Sequence, residues 1–166
     1  EKTGPHSGKH SSSMLSYDAL TGLPDRPSFQ HHFSLCIGQA RIKQSKVGLL
    51  FIDLDHFKRI NRMLGPGVGD ELLCSVTTLL QQCGKAVGAN FIARLSGDEF
   101  AIILPPPTNT RLAEKLADRI LKKFEAPVTI KSRDIFVTPS IGISLYPNDG
   151  ESPPELLRNA DTAMEM

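Results

Sequence analysis

Nothing in this chain constrains its fold as tightly as residues 91–104. Two apolar runs, Phe91–Leu95 and Phe100–Leu104, enclose Ser96-Gly97-Asp98-Glu99. Apolar runs of that length around a short glycine-bearing turn predict an antiparallel hairpin. A glycine and two adjacent carboxylates at its tip fill space poorly. They suit oxygen ligation of a hard cation, with the backbone left open to a phosphate. A second acidic pair, Asp53 and Asp55, follows the continuous apolar run Val47–Ile52, which predicts a central strand buried on both faces.

The remaining pattern places helices around these strands. After Pro27, Phe29, Phe33, Ile37 and Ala40 recur at three- and four-residue steps, the stripe of an amphipathic helix. A short helix is expected over Phe57–Met63, broken by Gly65-Pro66-Gly67. Leu72, Leu73, Val76, Leu79, Leu80 and Cys83 mark the face of the next. Asn109 is placed to cap a helix with the stripe Leu112, Leu116, Ile120 and Phe124. Val128–Ile130 and Ile135–Leu145 read as a second hairpin around Lys131–Asp134, and Pro153 or Pro154 opens a last helix. This order predicts an α+β fold, a mostly antiparallel sheet with helices on its faces.

The 166 residues suffice for one such domain. Glu1–Ser16, rich in Ser, Gly, Lys and His, reads as a linker or appended tail, and His6 and His10 as polar tail residues. A net charge of +1 gives no strong field for nucleic acid or an anionic membrane. No apolar run approaches the roughly 18 residues a membrane span needs, and the start lacks the apolar region of a signal peptide. Cys36, Cys74 and Cys83 show no paired spacing and fall at apolar helical positions. They predict buried free thiols and a reducing, cytoplasmic setting.

Several side chains carry chemistry on this frame. Asp53 and Asp98, from adjacent strand ends, with the main-chain oxygen of Leu54, form a ligand set for Mg²⁺ that leaves positions for phosphate oxygens. Read singly, Asp53 is also a helix cap and Asp98 a turn residue. Ser96-Gly97 offers backbone amides to a phosphate. Lys58 offers an ammonium to phosphate charge, although a lone lysine on a short helix is commonly just solvated. Asp70 can accept the paired N1–H and N2–H donors of guanine, and Asn61 can add a contact. Their plainer readings are an N-cap before Glu71 and a C-cap before Gly65.

Five stretches together resemble the GGDEF family, the diguanylate cyclase domains. They are Asp18-x-Leu20-Thr21-Gly22-Leu23-Pro24-Asp25-Arg26, Asp53-Leu54-Asp55-x-Phe57-Lys58-x-x-Asn61, Ser96-Gly97-Asp98-Glu99-Phe100, Thr138–Ser144 and Ala160-Asp161-x-Ala163-Met164. The resemblance covers roughly Asp18 to Met166 and implies a ferredoxin-like, nucleotidyl-cyclase-like palm. It implies one GTP per domain and Mg²⁺ (or Mn²⁺) on Asp53, Leu54 and Asp98. Guanine would be read by Asn61 and Asp70, with Phe57, Ser96 and Gly97 beside the substrate. Lys58 would stabilise the transition state, and Asp98 or Glu99 would help deprotonate the 3′-hydroxyl. Two domains facing each other as a homodimer would condense two GTP into cyclic di-GMP and release pyrophosphate. The alternative it allows is a catalytically silent GTP-binding domain that regulates a covalently linked domain, such as a cyclic di-GMP phosphodiesterase. A plainer third reading is a palm scaffold that only dimerises.

The chain also departs from the family pattern. Ser96 replaces a glycine; if that position needs positive φ, serine costs on the order of 1 kcal/mol. Pro66 and Arg62 stand where histidine and aspartate are common. The inhibitory Arg-x-x-Asp is replaced by Val87-Gly88-Ala89-Asn90, which predicts no product feedback there. The last helix ends before a usual phosphate-binding lysine. The expectation is therefore a clipped piece of a longer signalling protein, with linked sensor or phosphodiesterase domains that could anchor the whole to a membrane. The opening segment is assigned a structural role, with Asp18 and Arg26 as a pair fastening it and Arg94 as a loop-holding residue.

Overall fold

The computed structural model describes residues 15–165. The elements run α1 (Arg26–Lys43), β1 (Val47–Leu54), α2 (Phe57–Leu64), α3 (Pro66–Ala86), β2 (Phe91–Ser96), β3 (Glu99–Leu104), α4 (Thr110–Lys123), β4 (Val128–Ile130), β5 (Arg133–Ile135), β6 (Pro139–Tyr146) and α5 (Pro153–Glu165). Four strands form one antiparallel sheet in the order β2-β3-β1-β6. With the small β4–β5 pair set aside, this is the ferredoxin-like βαββαβ arrangement, as the family resemblance implies.

β1 sits inside the sheet because it has no solvent face. Leu50, Ile52 and Leu54 enter one core with residues of α3 and α4, while Leu49 and Phe51 enter a second core with residues of α1 and α5. The α1 stripe Phe29, Phe33, Ile37 and Ala40 is buried against that second core. Each of its phenylalanines contributes roughly 1.5–3 kcal/mol of burial. Helix starts follow their caps. Asp25 accepts the Ser28 amide at 3.1 Å ahead of α1, and Asn109 accepts the Leu112 amide at 2.8 Å ahead of α4. α5 begins at Pro153.

Three expectations change. The run Ile135–Leu145 is not one strand. β5 ends at Ile135 and pairs only with β4, whereas β6 begins at Pro139 and joins β1. Proline lacks an N–H and is tolerated at a strand's first position, so the break falls just before it. Lys131 and Ser132, at φ 52° and 64°, form the left-handed two-residue turn of the β4–β5 hairpin. Ser16 belongs to the folded domain: its amide donates to Ser28 Oγ at 2.6 Å and its hydroxyl to Asp25 Oδ1 at 2.7 Å. His6 and His10 lie outside the described residues. All three thiols are free, but only Cys83 is buried; Cys36 and Cys74 are half-buried. Among the described residues no helix is long and apolar enough to cross a membrane.

Candidate catalytic site at the sheet rim

The β2–β3 turn folds against the end of β1. Asp53 lies opposite Glu99 in the β1–β3 register, and the Leu54 amide donates to the Asp98 carbonyl at 3.1 Å. Asp53 Oδ1 is buried and has no hydrogen-bond partner. Burial, the neighbouring charge of Asp98 and a hydrogen bond shared with it push the Asp53 carboxyl up to about 7 from 3.8, with smaller contributions from Glu99 and Asp55. A desolvated carboxylate oxygen crowded by other carboxylates is the situation a divalent cation relieves. The oxygen-only donors Asp53, Asp98 and the Leu54 carbonyl fit a hard cation. Among the described residues no three His, Cys, Asp or Glu side chains converge as a metal cluster. Asp53 is not a helix cap: the α2 N-cap is His56, at φ 58°, with no side-chain capping bond.

The turn is shaped by a bulge. Arg94 pairs with Phe100 but Ser96 with Glu99, leaving Leu95 as the extra residue. Neither Ser96 nor Gly97 has positive φ, so the strain expected of serine does not arise. A Cβ on Gly97 would meet nothing within 4 Å; its backbone faces open space. The Ser96 hydroxyl donates to Glu99 Oε1 at 2.6 Å, and Arg26 Nη2 lies 3.8 Å from the same oxygen.

Arg94, not Arg26, is the partner of Asp18. Its Nη1 donates to both Asp18 oxygens at 3.0 and 3.1 Å, while its Nε and Nη2 donate to the Gly97 carbonyl at 3.1 and 2.9 Å. Burial alone would raise the Asp18 carboxyl, but hydrogen bonds from Thr21 and Arg94 hold it below its usual value. Arg26 reaches the turn instead, donating from Nε to the Leu95 carbonyl at 3.4 Å.

The acidic pair at the end of β1, Asp53 inside the strand and Asp55 just beyond it, splits its duties. Asp55 accepts the Thr138 hydroxyl at 2.8 Å and the Ser140 hydroxyl at 2.6 Å, and its amide donates to the Thr138 carbonyl at 2.8 Å. It fastens the β1–α2 junction to β6 rather than facing the turn, a role hidden in the sequence because its partners are 83 and 85 residues away.

The candidate base-reading residues come together across α2 and α3. Lys58 is exposed in the first turn of α2, and Phe57 is buried. Asn61 Oδ1 is buried without a partner and presses on Gly69, where any Cβ would overlap it. That puts Asn61 beside the neighbour of Asp70. α3 starts at Pro66, so Asp70 is inside the helix and not its cap. Asp70 opens on a cavity of about 330 Å³ walled by Leu20, Cys74, Ser75, Thr129 and Ile130. The Lys131–Glu71 ion pair, at 3.6 Å, ties the β4–β5 hairpin to α3 beside it. Leu20 stands in the sequence only as part of the opening motif, and nothing there places it on this cavity. Val87 caps α3, and exposed Asn90 lines a separate cavity of about 310 Å³ in which the His32 ring stacks on Phe91 at 4.1 Å.

Comparison with known proteins agrees with this architecture. The family model described as "Diguanylate cyclase, GGDEF domain" matches residues 15–166. The chain is 39% identical over 151 residues to the cyclic di-GMP phosphodiesterase NbdA of Pseudomonas aeruginosa, covering 91% of this chain and 19% of that protein. It is 36% identical over 149 residues to the diguanylate cyclase TpbB of the same organism, covering 89% of this chain and 34% of that protein. The solved GGDEF domain of TpbB from Pseudomonas aeruginosa superposes with a TM-score of 0.84 at 34% identity, covering 90% of this chain and 87% of that one. The chain thus spans about a fifth to a third of these curated relatives.

Proposed function

Because this chain belongs to the GGDEF family of diguanylate cyclase domains, we propose that it binds GTP at the rim described above. As a face-to-face homodimer it condenses two GTP into cyclic di-GMP, releasing pyrophosphate. The observation that carries this reading is the unpartnered, buried Asp53 Oδ1 beside Asp98, under a turn whose Gly97 faces open space. Asp53, Asp98 and the Leu54 carbonyl would hold Mg²⁺ or Mn²⁺, which when bound polarises the α-phosphate and lowers the pKa of the attacking hydroxyl.

The other steps fall to the chain itself. The backbone around Ser96 and Gly97 admits the phosphates, and the exposed Lys58 ammonium offsets charge that develops on them. Asp98 or Glu99 takes the proton of the 3′-hydroxyl. Asp70 accepts guanine N1–H and N2–H, Asn61 adds a contact, and Phe57 packs beneath them. Holding two nucleotides in line supplies much of the acceleration. The domain works in the cytoplasm, joined to sensor or phosphodiesterase domains of a longer protein.

A second reading has its own support: a GTP-binding domain without turnover that regulates a linked phosphodiesterase. Ser96 engages Glu99, and the similarity to NbdA covers 91% of this chain. The two readings separate in one experiment. The chain is fused to a dimerising coiled coil and incubated with GTP and Mg²⁺, and cyclic di-GMP is measured. Product that Asp98→Ala or Glu99→Ala abolishes is the expected result. GTP binding with no product from the dimer would replace the cyclase reading with the regulatory one.

A further inference from the structure

Ser96 is the one residue of the turn that departs from the family pattern, and its hydroxyl is not idle. It donates to Glu99 Oε1 at 2.6 Å, a short bond to a charged acceptor. Arg26 approaches the same oxygen at 3.8 Å and is itself anchored on the Leu95 carbonyl. One carboxylate oxygen thus faces a hydrogen-bond donor at the β2 end and a cation at the α1 start. Glu99 stands directly across from Asp53 in the β1–β3 register, so both side chains project from the same face of the sheet. Glu99 must turn Oε1 away from Ser96 before that oxygen can serve a cation or a hydroxyl between Asp53 and Asp98. A glycine at position 96 has no hydroxyl with which to hold it.

We propose that Ser96 is a restraining latch: its hydroxyl, with Arg26 behind it, holds Glu99 back from the Asp53–Asp98 pair and weakens cation binding there. The inference rests on the cation site of the proposed function but not on its turnover. Ser96 is exposed and outside the left-handed region, so replacing it removes the hydroxyl without disturbing the core. A threonine in its place keeps the donor; an alanine or a glycine does not.

The test titrates Mn²⁺ by electron paramagnetic resonance into this chain with a non-hydrolysable GTP analogue present. The parent is compared with Ser96→Ala, Ser96→Thr, Glu99→Gln and the double variant Ser96→Ala/Glu99→Gln. Ser96→Ala should bind Mn²⁺ about tenfold tighter, the scale of a lost hydrogen bond to a charged group. Ser96→Thr should stay near the parent, and the gain should vanish in the double variant. Equal or weaker binding by Ser96→Ala overturns the latch, as does a gain that persists without the Glu99 charge. If the variants follow the expected order while the coiled-coil dimers make no cyclic di-GMP, the latch stands and the cyclase reading falls. If no variant binds Mn²⁺, both fall.

Discussion

Replacing Asp53 by asparagine should stabilise the metal-free protein at alkaline pH while destroying its cation site. The folded carboxyl is raised from 3.8 to about 7, first by burial and then by Asp98. Between those values the folded protein holds a proton that the unfolded chain has released. The associated stability is complete below about pH 4 and is lost as pH rises through about 7. At about 1.4 kcal/mol per unit, a shift of this size corresponds nominally to about 4 kcal/mol. The side chain is only partly buried, and solvent screening reduces this to about 1–2 kcal/mol. For a domain of this length that is roughly 2–8 °C in Tm. The assay is thermal unfolding in chelator, for parent and Asp53→Asn, from about pH 4 to pH 8. The variant's advantage should grow through this range and level off above about pH 7. Excess Mn²⁺ should stabilise the parent alone. A difference in Tm that stays constant with pH, or a variant less stable at pH 8, would refute the reasoning.

Other outcomes follow from the same geometry. Asp70→Ala should erase most of a preference for GTP over ATP in calorimetry, because a carboxylate left without the paired guanine donors costs about 1–3 kcal/mol; equal affinities in the parent would overturn that role. Gly69→Ala should displace Asn61 from its place against α3 and weaken GTP binding about tenfold, a loss of one hydrogen bond's order, with the circular dichroism spectrum unchanged. Cyclic di-GMP titrated into the chain should show no sub-micromolar binding that depends on Asn90, since Val87-Gly88-Ala89-Asn90 carries no charge.

The fold was legible wherever burial leaves a period. The two-faced run of β1, the α1 stripe and the hairpin of residues 91–104 all stand where their apolar pattern puts them, because each must bury that pattern. The break between β5 and β6 was not legible. Ile135 and Val137 are both buried although they flank exposed Phe136, and alternation of that kind is the same whether the strand continues or changes sheet. At the site, Asp53 lies beside Asp98, and Asn61 lies against Gly69, the neighbour of Asp70. Long-range polar pairing was hidden. Asp18 chooses Arg94 over Arg26, and Asp55 turns to Thr138 and Ser140, because charge and hydrogen-bonding capacity in a sequence do not name their partners.

The guanidinium of Arg94 has a mechanical consequence. One rigid planar group grips Asp18 on one side and the carbonyl of Gly97 on the other, while the Arg94 amide itself donates to the Pro24 carbonyl at 3.0 Å. The segment of residues 18–24 and the acidic turn are therefore fastened to each other through one residue. The link between the Asp18 carboxylate and the Gly97 peptide runs over the length of a single side chain and through neither core. Arg94 works as a connecting rod, and lysine, with a single flexible pivot in place of a flat fork, would turn that rod into a slack tether.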